Sequence, residues 1–356
     1  MFILIINPGS TSTKIAIFEN ETSIFQKTLR HSVEELSHYH KIADQFAFRK
    51  NVIMDVLTNE AKFDVSQLSC IVGRGGLLKP IAAGIYEVNE LMLDDLSNGK
   101  YGEHASNLGA LIAHEIASGL NEVKAYIADP VVVDELEDVA RISGNALVER
   151  VSIFHALNQR AVARRYAREN NTAYEKLNLI VAHLGGGTSV GAHKRGRIID
   201  VNDALNGDGP FSPERAGGLN AWSLAQICFS GKYTERDVRE MIVGKGGYVS
   251  YLGTNDALEV ENRALQGDKK AALIEQALAY QVAKEIGAMA AVLNGKVDAI
   301  IITGGLAYDK AVVNTIENKT KFIAPITIYA GEDELKALAE NAILLSRGEQ
   351  QVKIYQ

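Results

Sequence analysis

Two apolar runs flank a polar turn in residues 3–18, ILIINPGSTSTKIAIF. Residues 3–6 and 15–18 are too short for helices and are typical of buried strands, and the Pro-Gly pair between them would interrupt a helix. The turn is rich in Gly, Ser and Thr, and lies between the amide Asn7 and the cation Lys14. Hydroxyls, backbone N–H groups and an ammonium are suited to binding phosphate. We therefore predict a β-hairpin with a phosphate-binding turn.

The same pattern recurs about half a chain further on. Residues 178–184, NLIVAHL, predict a strand, the turn at 185–189 reads GGGTS, and residues 190–193 predict a returning strand. A strand, a Gly/Ser/Thr turn and a strand repeated at this distance indicate a duplicated domain. Two such hairpins could hold one polyphosphate from two sides.

Composition places the chain among globular proteins. Its 356 residues suffice for two domains, with 47% hydrophobic and 23% charged residues. The net charge of −7 and the lack of a basic run argue against nucleic acid or an anionic membrane as a partner. We find neither a secretory signal nor an apolar run long enough to cross a membrane. We therefore expect a cytoplasmic protein.

Arg74 follows the short apolar strand 68–72 and lies among Gly73, Gly75 and Gly76. An Arg on a flexible backbone without bulky neighbours suits the recognition of an anion. An ordinary turn with a surface Arg explains the pattern equally well.

Three further polar residues lie where catalytic groups are often found. Asp129 ends the predicted strand 125–129, and strand ends of this kind often point into a cleft. His155 begins a helix, whose dipole favours a neutral imidazole that can donate a hydrogen bond. Arg215 lies on the glycine- and proline-rich loop 206–215. A histidine that merely caps the helix remains an equal alternative for His155.

Gly304 and Gly305 form a turn at the end of the predicted strand that begins at Val297, and two glycines after a buried strand permit close approach of the backbone to a flat or anionic group. A tight turn without a ligand is the alternative. The next predicted strand, 322–329, contains Pro325 and is therefore expected near a sheet edge.

Two helices complete the prediction, and the C-terminal one is amphipathic. The last one begins near Glu334 and runs to about residue 347, and we expect it to fold back onto the first domain. Near the N-terminus, Ser32 is a predicted N-cap for a helix over 32–57. Three histidines, 31, 38 and 40, precede or lie within that helix and are expected on its solvated face.

Four motifs, in combination and in this order, resemble those of the acetate kinase and butyrate kinase family: NPGSTSTK at 7–14, HLGGG at 183–187, FSPER at 211–215 and TGGL at 303–306. The resemblance covers nearly the whole chain. Acetate kinases usually have HLGNG where this chain has HLGGG, and they are longer, so the sequence resembles the butyrate kinases more closely.

The resemblance implies an α/β fold of the actin, sugar kinase and heat-shock-70 type. Such a fold has two duplicated, ribonuclease H-like or actin-like ATPase domains around a nucleotide cleft. We expect the first domain to comprise residues 1–151 plus 334–356, including the returning C-terminal helix. The second would comprise residues 152–333 and carry nucleotide-binding segments.

The implied activity is reversible transfer of the γ-phosphoryl group of ATP to butanoate or a related short- or branched-chain acid. It implies Mg²⁺ or another divalent cation with ATP, and a homo-oligomer, dimer or larger. The resemblance assigns catalytic roles to Arg74, Asp129, His155 and Arg215, and metal binding to Asn7 and Glu334. The predicted nucleotide and phosphate contacts are Ser10, Ser12, Lys14, His183, Gly185, Gly186, Gly187, Gly304 and Gly305.

Three residues are candidates for the acyl pocket: Gly76, Phe154 and Pro213. Acetate kinases have a Val two residues after the substrate-binding Arg, where this chain has Gly76. Loss of an isopropyl group would leave room for a longer acid, and each extra buried methylene contributes about 0.8 kcal/mol.

Other functions stay open at this point. An acetate or propionate kinase of the same family is the nearest. A sugar kinase would need a carboxylate base for its hydroxyl substrate, and Asp129 could serve, but paired arginines suit a neutral alcohol poorly. A non-catalytic, actin-like nucleotide-dependent binding protein would keep both hairpins without needing Arg74, His155 and Arg215 together.

Overall fold

The computed structural model describes all 356 residues and divides into two compact units. The first comprises Met1–Val133 with Asp333–Gln356, and the second comprises Asp134–Glu332. The assignment of functional domains at 151/152 and 333/334 stays a prediction. Each unit contains one β-sheet with helices packed on it, so the α/β class is confirmed.

The sheet of the first unit has seven strands in the order β12-β5-β6-β4-β1-β2-β3. β1, β2 and β3 are antiparallel neighbours, whereas β4 runs parallel to β1 and β6 runs parallel to β4. The strands are β1 (Phe2–Pro8), β2 (Ser12–Glu19), β3 (Thr22–Arg30), β4 (Leu68–Arg74), β5 (Ile85–Glu87), β6 (Lys124–Ala128) and β12 (Val352–Ile354).

The sheet of the second unit has five strands and repeats the central topology of the first. Its order is β11-β10-β7-β8-β9: β7, β8 and β9 are antiparallel neighbours, β10 is parallel to β7, and β11 is parallel to β10. The strands are β7 (Asn178–Leu184), β8 (Thr188–Lys194), β9 (Arg197–Val201), β10 (Ala299–Gly304) and β11 (Ile326–Ala330). The matching strand order supports the duplication inferred from the two hairpins.

Thirteen α-helices accompany the sheets. In the first unit they are α1 (Val33–Ser37), α2 (Phe46–Asn59), α3 (Glu90–Ser97), α4 (Asn107–Ser118) and α13 (Glu334–Ser346). In the second unit they are α5 (Asp138–Arg141), α6 (Ala156–Glu169), α7 (Ala221–Cys228), α8 (Glu235–Ile242), α9 (Gly247–Leu252), α10 (Ala257–Leu265), α11 (Lys269–Val292) and α12 (Lys310–Thr320).

The run Ile3–Ile6 is buried throughout because β1 is an inner strand covered on both faces. Leu4 and Ile6 belong to the core cluster that α2 and α4 build with residues such as Ile53 and Ile112. Successive side chains point to opposite faces, and α13 packs against β1, β2 and β4. This explains why a strand at the start of the chain reads as an unbroken apolar run.

Most elements predicted near the motifs are confirmed, with two differences. The hairpin of β1 and β2 is present, Ser32 and Glu35 form a capping box, and β11 lies at a sheet edge. The single helix over 32–57 is wrong, because the chain leaves the helix after Ser37 and restarts it at Phe46. His31 is also buried rather than solvated.

Candidate active site

In the first unit, three functional candidates lie at one edge of the sheet. β1, β4 and β6 are adjacent parallel strands, so their carboxyl ends meet at the same edge. Asn7 lies near the end of β1, Arg74 is the last residue of β4, and Asp129 immediately follows β6. The strand register therefore brings together residues that are far apart in sequence.

Asn7, Arg74 and Glu334 form one hydrogen-bonded cluster. Asn7 Nδ2 donates to Glu334 Oε2 at 2.7 Å, and Arg74 NH1 lies 2.7 Å from Glu334 Oε1 and 3.3 Å from Asn7 Oδ1. Glu334 reaches the cluster because it is the first residue of α13, which packs on the same strands. The cluster holds one guanidinium charge, one carboxylate and one amide, so its own charges balance.

The oxygens of Asn7 and Glu334 suit a hard divalent cation, but they are few. No group of three or more His, Cys, Asp or Glu side chains in the chain is arranged to hold a metal ion. Mg²⁺ is commonly bound by one or two carboxylates, with water and substrate phosphates completing its octahedron. The donor set therefore fits a cation that arrives with a phosphate ligand.

Asp129 is buried, and its carboxylate accepts a hydrogen bond from the Gly84 N–H at 2.8 Å. Its φ angle of +41° lies in the left-handed region, which Asp tolerates better than most residues. Its own N–H donates to the Gly84 carbonyl at 3.0 Å. The backbone turn at Asp129 is therefore tied to the segment before β5.

A buried arginine, which the sequence analysis missed, donates hydrogen bonds to the backbone of the turn between β1 and β2. Arg49 of α2 is fully buried, and its guanidinium donates to the carbonyl oxygens of Gly9, Ser10 and Ser12 at 2.8–3.1 Å. It also donates to Thr13 Oγ1 and Gln45 Oε1. Within the turn, Arg49 therefore binds the backbone carbonyl oxygens of Gly9, Ser10 and Ser12. The hydroxyls of Ser10 and Ser12 take no part in these bonds.

One signal for Arg49 was present in the sequence. Arg49, Ile53, Val56 and Leu57 follow helical spacing, and all four are buried in the structure. A charged residue on the apolar face of a helix needs a polar partner inside the protein. That reasoning predicts a buried partner, although it does not identify the turn.

Lys14 and His31 complete the surroundings of the turn. Lys14 is exposed on β2 and is the cross-strand partner of Asn7. The ring of His31 bonds to Thr13 Oγ1 at 2.9 Å, and burial, with the charge of Arg49, lowers the pKa of His31. His31 is thus a structural neighbour of the turn.

The expectation that Gly76 opens an acyl pocket is wrong. A Cβ at Gly76 would lie 2.4 Å from Asn107 Oδ1 and 2.6 Å from Asn107 Cα. A Cβ at Gly73 would lie 2.2 Å from the Gly109 carbonyl oxygen. The space beside these glycines is filled by the start of α4, so they serve close packing of α4 on β4 rather than backbone flexibility or room for a ligand.

In the second unit, parallel strands again bring candidates together. His183 on β7 is the register partner of Thr303 on β10, so the turn at 185–187 and Gly304 lie at the ends of adjacent strands. Gly304 has φ +91°, and a Cβ there would lie 2.3 Å from the Leu184 carbonyl oxygen. Gly305 begins a short 3₁₀ helix, and nothing lies within 4 Å of its Cβ direction.

Gly187 lies between the side chains of Arg215 and His155. A Cβ at Gly187 would meet Arg215 NH1 at 2.1 Å and His155 Cε1 at 3.2 Å. The absence of a side chain at this position therefore lets both groups reach the turn after β7. The glycine run thus accommodates functional side chains as well as forming the turn.

Two contacts position Arg215, one through its side chain and one through its backbone. Its NH1 donates to the Ala204 carbonyl oxygen at 2.7 Å, and its backbone pairs with Val243 in an isolated antiparallel bridge. Burial lowers the pKa of the Arg215 guanidinium, and its Nε is buried without a hydrogen-bond partner. A guanidinium that is partly withdrawn from water and reaches a glycine turn suits an anionic ligand.

His155 and His183 stack on each other, with ring centroids 3.9 Å apart and an angle of 14° between the planes. His183 is buried, and its Nδ1 lies 2.8 Å from Asn158 Oδ1, so Nδ1 carries a hydrogen. His183 Nε2 lies 3.6 Å from Glu332 Oε2. His155 Nδ1 is 2.9 Å from Ser189 Oγ.

The remaining predicted residues of this unit lie near these groups in sequence. Phe154 and Pro213 are both buried, each within two residues of a predicted catalytic group. Gly185 N donates to the Gly187 carbonyl at 3.0 Å and closes the turn, and Ser212 Oγ donates to the Gly186 carbonyl at 2.5 Å. A Cβ at Gly186 would make only an ordinary contact with Glu214.

None of the helices is both long enough and apolar enough to cross a bilayer.

The Acetokinase family matches residues 144–355. Butyrate kinase 1 and butyrate kinase 2 of Clostridium acetobutylicum are 61% and 59% identical over 353 residues, which is 99% of this chain and 99% of each relative.

Among solved structures, acetate kinase of Porphyromonas gingivalis superposes with a TM-score of 0.78 over 97% of this chain and 99% of its own, at 18% identity. Acetate kinase of Entamoeba histolytica gives 0.74 over 98% and 99%, at 16% identity. These structures share the two-sheet fold. The family match and the full-length relatives show that this chain belongs to the acetokinase family.

Proposed function

We propose that this protein is a short-chain carboxylate kinase that transfers the γ-phosphoryl group of ATP to butanoate, giving butanoyl phosphate and ADP, reversibly. The observation that carries the proposal is the 61% identity with a butyrate kinase over nearly the full length of both chains. The preference for butanoate over acetate or propionate rests on that identity.

The chemistry explains why cationic and donor groups are needed. The carboxylate is ionised at neutral pH and needs no general base, but it must approach an anionic phosphoryl group. Catalysis then depends on neutralising charge and on holding the reacting atoms in line. Arg74, Arg215 and His155 are groups of that kind.

Within this proposal, Arg215 binds the transferring phosphoryl group. The position of its NH1 beside Gly187 and the partial burial of its guanidinium support the role, because a cation partly withdrawn from water gains from an anionic partner. His155, beside it at Gly187, donates a hydrogen bond to an equatorial oxygen. Arg74 orients the carboxylate. Asp129 stabilises the segment between β4 and β5 through its hydrogen bonds to Gly84.

We propose that Asn7 and Glu334 hold Mg²⁺ together with ATP. Bound Mg²⁺ would supply positive charge between the phosphate oxygens. Because Glu334 also pairs with Arg74, metal binding and the orientation of Arg74 share one carboxylate. Replacement of Glu334 therefore removes a metal ligand and releases the arginine at the same time.

The proposed phosphate and nucleotide contacts lie in or beside the turns after β1, β7 and β10. The turn after β1 offers hydroxyls while Arg49 secures its carbonyl oxygens. The open space beside Gly305 suits close approach of the adenosine. The proposed residues are Ser10, Ser12, Lys14, His183, Gly185, Gly186, Gly187, Gly304 and Gly305.

An acid panel tests the proposal. Purified protein with Mg²⁺ and ATP is offered acetate, propionate, butanoate and isobutanoate, and acyl phosphate is trapped as hydroxamate. We expect the highest kcat/KM with butanoate, and no product when ATP is omitted. A higher value for acetate or propionate would make the protein a kinase of that acid, and no product with any acid would refute the proposal.

We further propose that the protein works in the cytoplasm as a homo-oligomer. This expectation comes from the resemblance to its family, and light scattering of the purified protein measures the mass that decides it. A mass of one chain across the concentration range would refute the oligomer.

A further inference from the structure

A chain of hydrogen bonds leads from His155 into the interior of the second unit. Tyr174 OH lies 2.7 Å from His193 Nδ1, and His193 Nε2 lies 2.9 Å from Gln159 Oε1. Gln159 Nε2 lies 2.9 Å from Ser189 Oγ, which is 2.9 Å from His155 Nδ1. Gln159, Ser189 and His193 are fully buried.

The orientation of the Gln159 amide is decided by a backbone carbonyl. Gln159 Nε2 also lies 3.2 Å from the Ser189 carbonyl oxygen, which can only accept a hydrogen bond. The amide nitrogen must therefore face Ser189, and the amide oxygen must face His193. Gly191 makes this approach possible, because a Cβ there would lie 2.6 Å from Gln159 Oε1.

The direction of the next bonds follows from this orientation. Gln159 Oε1 can only accept, so His193 must carry a hydrogen on Nε2. Burial and the charge of Arg160 lower the pKa of His193 to about 3, so its ring is neutral and Nδ1 has no hydrogen. Tyr174 OH therefore donates to His193 Nδ1.

At the other end of the chain, Gln159 Nε2 donates to Ser189 Oγ. The hydroxyl hydrogen of Ser189 then points to His155 Nδ1, the other polar atom bonded to that oxygen. The reverse arrangement, with a hydrogen on His155 Nδ1, would leave the Ser189 hydrogen buried without an acceptor.

We propose that Gln159 and Ser189, with His193 behind them, are positioning residues that keep the proton of neutral His155 on Nε2. All bonds in the chain then run in one direction, from Tyr174 to His155. His155 thereby presents a ring N–H on the side opposite Ser189.

The catalytic consequence rests on the proposed function. A phosphoryl oxygen is anionic and accepts hydrogen bonds, so the Nε2–H tautomer binds it while the Nδ1–H tautomer would present a lone pair to it. The assignment of the His155 tautomer depends only on the hydrogen bonds and not on the proposed function. Two independent measurements can therefore separate the two claims.

The tautomer is measured by NMR of protein labelled with ¹⁵N in the histidine rings, at a pH where His155 is neutral, with His155→Asn identifying its signals. We expect Nε2–H in the wild type and both tautomers in Ser189→Ala, which lacks the donor. In Gln159→Glu the carboxylate accepts from Ser189, so we expect the proton of His155 on Nδ1. Gln266→Glu, at an exposed position, is the charge control and should match the wild type.

A wild-type proton on Nδ1, or an unchanged His155 spectrum in folded Ser189→Ala, would overturn the proposal. In turnover, Gln159→Glu should lower kcat by about 10²-fold, the size of a lost transition-state donor. KM for ATP should stay within about twofold, because ground-state binding is not removed. A wild type that yields no acyl phosphate refutes the proposed function, while the NMR result still decides the tautomer.

Discussion

Three arginines differ in what surrounds them. Arg74 pairs with Glu334, Arg215 is partly buried and its Nε has no partner, and Arg49 is fully buried among carbonyl oxygens. A guanidinium has five N–H donors in a rigid plane, so its partners determine whether it can still bind an anion. Arg74 and Arg215 lie beside other site residues, whereas Arg49 supports a turn.

Replacement of either site arginine should abolish most turnover. We expect Arg74→Ala and Arg215→Ala each to lower kcat by about 10²–10³-fold, because each removes a donor to transition-state charge. Steady-state kinetics of acyl phosphate formation measure the loss. Arg236→Ala removes a charge whose side chain is 87% exposed and serves as the control. Near-normal kcat in either site variant would contradict the assignment.

Arg49→Met should affect both stability and nucleotide binding. The variant leaves several carbonyl oxygens of the turn without a donor, so we expect the free energy of unfolding to fall by about 3 kcal/mol. We also expect KM for ATP to rise, because the turn is no longer held. Urea unfolding and steady-state kinetics are the measurements. Lys50→Met, the next residue, changes a half-exposed ion pair and should shift stability by about 0.5 kcal/mol or less.

Packing between whole elements explains features that single residues do not. The start of α4 lies against the end of β4, and the contact is so close that Gly73 and Gly76 have no room for a Cβ. The same strand end carries Arg74. Close packing of α4 on β4 therefore fixes the backbone from which this arginine extends.

Gly76→Val should lower stability instead of selecting a shorter acid. Its Cβ would overlap Asn107, so we expect a loss of about 3 kcal/mol or failure to fold. Thermal unfolding and the acid panel measure the two effects. Gly119→Ala, whose Cβ would make only an ordinary contact 3.6 Å from Ile116 O, is the matched control. A stable variant that prefers acetate would contradict this interpretation.

The contact between α11 and α12 should make stability depend on pH. Asp309 caps α12, and its charge acts on the buried Glu275 of α11. Burial, with the charge of Asp309, raises the pKa of Glu275 from 4.5 to about 7. The folded state therefore retains a proton that the unfolded chain releases, so this carboxyl makes stability fall as pH rises from about 4.5 to about 7.

Glu275→Gln should remove that dependence and raise the free energy of unfolding at pH 8 by about 2 kcal/mol relative to the wild type. The amide cannot ionise, so it places no second negative charge near Asp309. Urea unfolding between pH 5 and pH 8 is the measurement, with Glu235→Gln at an exposed position as the control. Equal pH slopes in Glu275→Gln and the wild type would show that Glu275 titrates normally.

At the scale of the whole molecule, the two units share one strand topology, and each carries its polar site residues after parallel strands. Carboxyl ends of parallel strands are where ligands bind in open α/β sheets. The duplication therefore explains why two turns with similar composition recur half a chain apart. Different side chains then distinguish the two turns. Asn7 and Lys14 flank the first, whereas His183 precedes the second and Arg215 reaches it from the loop 206–215.

Ligand binding should raise the thermal midpoint of the whole protein. In the proposed function ATP with Mg²⁺ binds the folded chain, so at a hundredfold excess over Kd we expect about 2.7 kcal/mol of stabilisation. With EDTA in place of Mg²⁺ the shift should be smaller, because Asn7 and Glu334 would then have no metal to hold. Differential scanning calorimetry measures both. Equal shifts with and without the metal would contradict metal binding at this cluster.

Local patterns in the sequence determined the hairpins, the order of the motifs, the duplicated α/β fold and most of the candidate side chains. These features depend on short-range periodicity and on residue types in fixed order. The buried contact of Arg49, the packing that fills the space at Gly76 and the hydrogen-bond chain behind His155 were decided only by the tertiary structure. The physical reason is that each of them depends on which distant residues the strand register and the helix packing place within a few ångströms of each other.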